Sequence, residues 1–204
     1  YMARLYAFLG RYTEAEKTLK EIIYYVPEDS RGYSGLAFLY LTIDPGTKRA
    51  REIIAKAEDK LGPAKFTAAR TTIHEKDREW EVALSMITYS IVDTIHYHWN
   101  RARFLQRLGR TRETLHHATR FKELLLEKLK LIPDDPHFVS DLGFAYALLG
   151  EKELAIKFGK RAAALLPIEK DAQLGPIYTW YLALIYQYVG EYDSAIDLLE
   201  FLFS

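Results

Sequence analysis

The residues best suited to hold a metal or move a proton in this sequence are its six histidines. Their spacing argues against both roles. In "HYH", His96 and His98 stand about 200° apart around a helix, and His116 and His117 stand about 100° apart, so neither pair converges on one ion. No histidine sits in the pattern of a zinc-binding helix. There is no cysteine, which excludes thiolate metal sites, disulfides and cysteine nucleophiles. "GEK" (150–152) and "GKR" (159–161) follow no strand and lack the Gly-x4-Gly-Lys spacing of a phosphate loop. No serine stands in a nucleophile elbow. The residues therefore predict no catalysis, no metal and no cofactor. Recognition chemistry remains: Arg103 and Arg107 lie four apart on one helical face, where guanidinium groups can fork onto carboxylates.

The bulk properties narrow the partner. The chain has 204 residues, 49% of them apolar, and 28 basic residues balance 28 acidic ones. Zero net charge argues against nucleic acid. The balance is local as well as global in the first 97 residues, with fourteen of each sign. Residues 98–130 carry nine Lys or Arg against three Asp or Glu, and residues 132–204 carry five against eleven. No signal peptide and no apolar run long enough to cross a bilayer is present. The absence of cysteine suits a reducing compartment, and a cytoplasmic location is expected. Both ends stop in mid-pattern, which predicts a fragment of a longer chain.

What must position these side chains is a repeat. "LGEKELA" (149–155) matches "LGRYTEA" (9–15) and "VGEYDSA" (189–195) closely and "LGRTRET" (108–114) less well. "DREWEVA" (77–83) keeps the aromatic residue and the alanine but not the glycine, and "DPGTKRA" (44–50) keeps the alanine after an insertion. The aligned positions are Ala15, Ala50, Ala83, Thr114, Ala155 and Ala195. A large residue lies four before each turn (Tyr6, Tyr40, His74, Leu105, Tyr146, Tyr186), and a small one three earlier (Ala3, Ala37, Thr71, Ala102, Gly143, Ala183). Pro27, Pro63, Pro133 and Pro167 close second helices. Each unit reads as two amphipathic helices joined by a tight turn, and one such pair cannot bury its apolar face without a neighbour. The second helix of the fourth unit, near 112–131, runs about two turns beyond what the repeat needs. Gly159 falls inside a helix where the pattern wants a bulky residue, and the helix bearing Trp180 is expected to approach it.

This pattern resembles the tetratricopeptide repeat (TPR). Six units cover 1–29, 30–63, 64–94, 95–135, 136–169 and 176–204. The resemblance implies an all-α fold, a right-handed α-solenoid superhelix. "LLPIEKDAQLGPIYTWYLALIYQYVGEYDSAIDLLEFLFS" is also similar to the repeat region of bacterial regulators, in which such arrays follow a serine/threonine kinase, adenylate cyclase or DNA-binding domain. That implies a sensor or scaffold joined to an output domain.

In TPR proteins the first helices line a concave groove. The resemblance places Arg4, Phe8, Arg31, Phe38, Lys65, Lys76, Trp99, Arg103, Arg107, His137, Phe144, Trp180, Gln187 and Tyr188 there, with Glu75 on the same face and Phe144 as the leading contact. Such a surface suits a protein or peptide with acidic and aromatic side chains. The Lys–Asn–Arg clamp that some relatives close on a C-terminal carboxylate is absent, since Asn100 is the only asparagine. The expected function is a non-catalytic interaction scaffold. Three alternatives stay open: self-association through Phe201, Leu202 and Phe203, small-ligand sensing in the groove, and RNA binding through the basic stretch 101–130.

Overall fold

The computed structural model describes residues 2–89 and 93–203; the side chains of Phe8 and Phe203, both named above as contact candidates, lie outside the described ones. The described residues form twelve α-helices and no strand. They follow as pairs: α1 (Met2–Phe8) and α2 (Tyr12–Tyr25), α3 (Ser30–Ile43) and α4 (Lys48–Leu61), α5 (Thr67–Lys76) and α6 (Trp80–Ser85). The series continues with α7 (Thr94–Arg107) and α8 (Thr111–Leu131), α9 (Pro136–Leu148) and α10 (Lys152–Leu165), α11 (Gly175–Tyr188) and α12 (Tyr192–Phe203). A single 3₁₀ turn, Pro63–Phe66, leads into α5. The fold is an all-α helical repeat. The pairs gather into two compact units, Tyr1–Met86 and Ile87–Ser204. Helix α8 has 21 residues where α2, α4 and α10 have 14, the two extra turns read from the sequence.

Local chemistry sets the helix ends. Asp29, Asp93 and Asp135 each accept a hydrogen bond from a backbone N–H in the first turn of α3, α7 and α9. Pro136 opens α9, where its missing N–H leaves no bond unmade. Five first helices end in one closure. The N–H of Arg11, Glu79, Arg110, Glu151 and Glu191 donates to the carbonyl of Tyr6, His74, Leu105, Tyr146 and Tyr186, at 2.8–3.0 Å. The residue before each donor has a left-handed φ of 60–79°: Gly10, Arg78, Gly109, Gly150 and Gly190. Only Arg78 has a Cβ to be crowded there, at about 1–2 kcal/mol. Arg78→Gly is therefore expected to raise the stability of the first unit by about 1 kcal/mol, less the entropy glycine adds to the unfolded chain. Urea denaturation of the two proteins checks this, and an unchanged midpoint would show that the turn is already relaxed.

The small residues of the repeat are where helices touch. Ala15, Ala50, Ala83, Thr114, Ala155 and Ala195 are all buried, as are Ala3, Ala37, Thr71, Ala102, Gly143 and Ala183. In the second unit, α9, α10 and α11 meet at two helical glycines, Gly143 of α9 and Gly159 of α10. A Cβ on Gly143 would lie 2.8 Å from Ile185 Cδ1 and 3.2 Å from the Ala155 oxygen and the Gly159 nitrogen. A Cβ on Gly159 would lie 2.9 Å from both Ile185 Cδ1 and Leu182 Cδ1. Ile185 is fully buried against this pair. The residue that breaks the pattern at 159 is thus explained by the approach of the helix that carries Trp180.

The third pair of the first unit lacks the usual glycine and is tied down by polar groups instead. Thr47 donates to Asp77 at 2.8 Å, and Arg51 reaches both Asp77 and Glu79. Glu79 also meets His74. Lys76 Nζ donates to the carbonyls of Leu41 and Asp44 at 2.6 Å each, closing the C-terminal end of α3. Lys76, placed on the groove face by repeat register, is therefore a helix cap.

Candidate functional site

Within the second unit the helices form two layers. Helix α7 touches α9 and α9 touches α11, whereas among the described residues no comparable contact joins α8 to α10 or α10 to α12. The first helices are therefore the tighter, inner side of the stack, and their shared face carries most of the candidate residues.

Aromatic rings run across that face. Trp99 on α7 packs on Phe121 at 5.5 Å between ring centres and on Phe144 of α9 at 5.2 Å. Phe144 meets Tyr181 at 5.8 Å and Tyr188 at 6.0 Å on α11, and Tyr181 meets Trp180 at 5.5 Å. Edge-to-face and tilted pairs at these distances each add about 1 kcal/mol beyond area burial. Exposure separates their roles. Phe144 is 5% exposed, so it is a packing residue and corrects its placement as leading contact; it sits among the three larger rings of Trp99, Tyr181 and Tyr188. Trp99, Tyr181 and Tyr188 are half-buried, and Trp180 is 44% exposed.

Cations border the rings. The Arg103 guanidinium lies 4.5 Å from the Phe104 ring and 5.9 Å from Trp99, and its Nε donates to Asn100 Oδ1 at 3.2 Å. Arg107 is exposed and lines a shallow cleft of about 370 Å³ with Gln106, Gln187, Tyr188 and Tyr192. His137 is exposed one turn before Asp141, with Nε2 3.7 Å from Oδ2. Asp141 escaped the sequence reading, because the register selected basic and aromatic positions and weighed no carboxylate there. Burial raises its carboxyl above the ordinary range against the pull of His137 and His96, with Asp135 adding to the rise. The half-buried hydroxyl of Tyr181 is raised by burial and then by Asp141.

The candidates of the first unit are not brought together. Arg4, Arg31, Phe38 and Lys65 are exposed, and no hydrogen bond, ion pair or ring contact joins these four among the described residues. Arg31 is held by its neighbour Asp29 at 2.7 Å. On α12, Phe201 is 58% exposed and Leu202 half-buried. The basic stretch is not a bare stripe: Arg120 pairs with Glu123, and Lys122 with Glu151 at 3.6 Å and with the Tyr146 ring.

Two histidines meet that angular spacing on one helix does not bring together. His98 of α7 and His117 of α8 approach Nδ1 to Nδ1 at 2.9 Å, and His117 Nε2 accepts from Arg101 Nε at 3.2 Å. Because arginine only donates, His117 is neutral with its proton on Nδ1, which it donates to His98. Burial, then His98, Arg101 and His116, depress His117 to about 4. Burial, then Arg120, His116 and Arg101, depress His98. The unfolded chain binds these protons first, so stability is full above about pH 6.5 and falls as the pH drops towards 4. His117→Phe should flatten that part of the stability–pH curve of the second unit, measured by urea denaturation; an unchanged slope would exclude the pair as its source. Among the described residues no group of three or more His, Cys, Asp or Glu converges to hold a metal, and no helix is long and apolar enough to cross a membrane.

No family model matches the sequence, and no curated protein matches it. Among solved structures the chain is similar to "MamA RS-1 ArsTM double mutant", at 14% sequence identity over 99% of this chain and 89% of that one, with a TM-score of 0.31. A likeness at that level carries no argument, and the fold stands on the helix pairing and buried repeat positions described above.

Proposed function

We propose that the protein is a non-catalytic scaffold, and that the first-helix face of its second unit binds an extended segment of another protein. The observation that carries this reading is the line of rings from Trp99 to Tyr181, Tyr188 and Trp180, partly open to solvent and bordered by Arg103 and Arg107. Half-exposed aromatic side chains on a rigid backbone lose little freedom on binding and give large contact area. Arginine beside them favours carboxylates on the partner and sets its register. An output domain on the same polypeptide, as the resemblance of the last forty residues implies, would make the segment an input signal.

Selection of short peptides from a random display library tests the reading. Enriched sequences are expected to combine acidic and aromatic residues, and Arg103→Glu with Arg107→Glu should weaken the best of them at least about tenfold, the scale of one charge-assisted contact. No enrichment, or equal binding by the double variant, would remove this face as the binding site.

A further inference from the structure

The carboxylate of Asp141 has no strong partner. It stands on α9 one turn before Phe144, and its side chain is 19% exposed. His137 on the same helix places its Nε2 3.7 Å from Asp141 Oδ2, and no hydrogen bond reaches the carboxylate among the described residues. Across the face, Tyr181 and Tyr178 of α11 lie within reach of its charge, and their rings pack together at 6.1 Å. Tyr181 continues through Phe144 to Trp99 on α7. On α7, Arg103 Nε donates to Asn100 Oδ1 at 3.2 Å, and its guanidinium lies 4.5 Å from the Phe104 ring.

A carboxylate held this dry is costly without a counter-charge, and an aromatic ring attracts cations to its negative face. Both features are relieved by the same ligand, a cation with an apolar or planar body. We propose that Asp141, with the rings of Trp99, Tyr178 and Tyr181, forms a subsite for a guanidinium or ammonium side chain of the bound segment. The inference rests on the reading of this face as peptide-binding and adds a second sign to it. The C-terminal half of α7 carries Arg103 and Arg107 towards an acidic group, and the N-terminal halves of α9 and α11 carry Asp141 and the tyrosines towards a basic one. The preferred segment is thus one with both charges, separated by an aromatic residue, and the two poles fix its direction.

Titration of N-acetyl-arginine amide, followed on the indole N–H resonances of Trp99 and Trp180 with Trp80 as an internal reference, tests the subsite. Saturable shifts at Trp99 and Trp180 are expected. The neutral isostere N-acetyl-citrulline amide should bind about tenfold more weakly, and Asp141→Asn should weaken the arginine probe by a similar factor. The asparagine keeps the shape and removes the desolvated charge, so the variant should melt no lower than the parent at pH 7, which certifies its fold. Equal shifts from the two probes, or undiminished arginine binding by Asp141→Asn, would overturn the proposal. Library peptides that depend on Arg103 and Arg107 but not on Asp141 would remove the subsite and leave the peptide-binding face. Arginine binding lost in Asp141→Asn, with no peptide enrichment, would do the reverse.

Discussion

Gly143→Val is expected to destabilise the second unit by about 3 kcal/mol, read from the midpoint of urea denaturation. The site has no slack. A Cβ there already meets the Ala155 oxygen and the Gly159 nitrogen at 3.2 Å, and those are backbone atoms that move only with the whole of α10. The third close atom, Ile185 Cδ1 at 2.8 Å, belongs to a side chain and can yield. Removing it should therefore recover part of the loss. Ile185→Val alone is expected to cost about 1 kcal/mol, and its combination with Gly143→Val should be less destabilised than the sum. Strict additivity would mean that Ile185 is not what fills the space above the glycine. Gly159→Ala is the milder companion, because both atoms in its way, Ile185 Cδ1 and Leu182 Cδ1, are the far ends of side chains, and alanine gains about 1 kcal/mol over glycine in a helix.

The same glycines show how far the sequence could be read. The turn glycines, the small residue of each first helix and the alanine of each second helix recur in register. Each has a single physical cause, so their spacing is enough to place twelve helices and their contact faces. Arg78 was legible by the same logic: the register demanded a turn at that point, and the backbone takes the left-handed conformation although no glycine is there. The division into two compact units was not legible, because the repeat register runs through 87 without a break. Gly159 was legible as an anomaly with an expected cause, the approach of the helix bearing Trp180, but the residues that press on it, Ile185 and Leu182, were not.

Phe144→Ala is the second large expectation, a loss of about 3–5 kcal/mol, the usual range for removing a buried phenyl ring. It separates packing from recognition. Phe144 is nearly closed to solvent and touches rings on both neighbouring first helices, so its removal should loosen α7, α9 and α11 together. Trp180, 44% exposed, has the opposite profile. Trp180→Ala should change stability by about 0.5 kcal/mol or less while weakening any selected peptide at least about tenfold. Denaturation and peptide affinity measured on both variants give the comparison. A Phe144→Ala protein of unchanged stability would return that ring to the contact surface.

The candidate site was less legible than the fold. Register says which residues point towards the first-helix face, but not how deep they sit there, and depth decides whether a ring is a contact or a wedge. Trp99 and Phe144 stand on the same first-helix face, yet Phe144, touched by rings of both α7 and α11, is buried while Trp99 is half-buried. Asp141 and Tyr181 went unseen for a related reason: their significance lies in the loss of water around a carboxylate, which one residue's identity does not disclose. The meeting of His98 and His117 across two helices is likewise a tertiary fact.

The layering of the second unit has a mechanical consequence. A stack whose inner members touch and whose outer members do not flexes about its inner side, as a book opens about its spine. Bending of such a stack would widen and narrow the gaps among α8, α10 and α12 and leave the intervals along α7, α9 and α11, which are in contact, nearly constant. Trp99, Asp141 and Tyr181 are mounted on the spine. On the proposed reading they would work as marks on a ruler, their separations set before any ligand arrives, and a segment matching those separations would bind without the entropy loss of ordering its receptor.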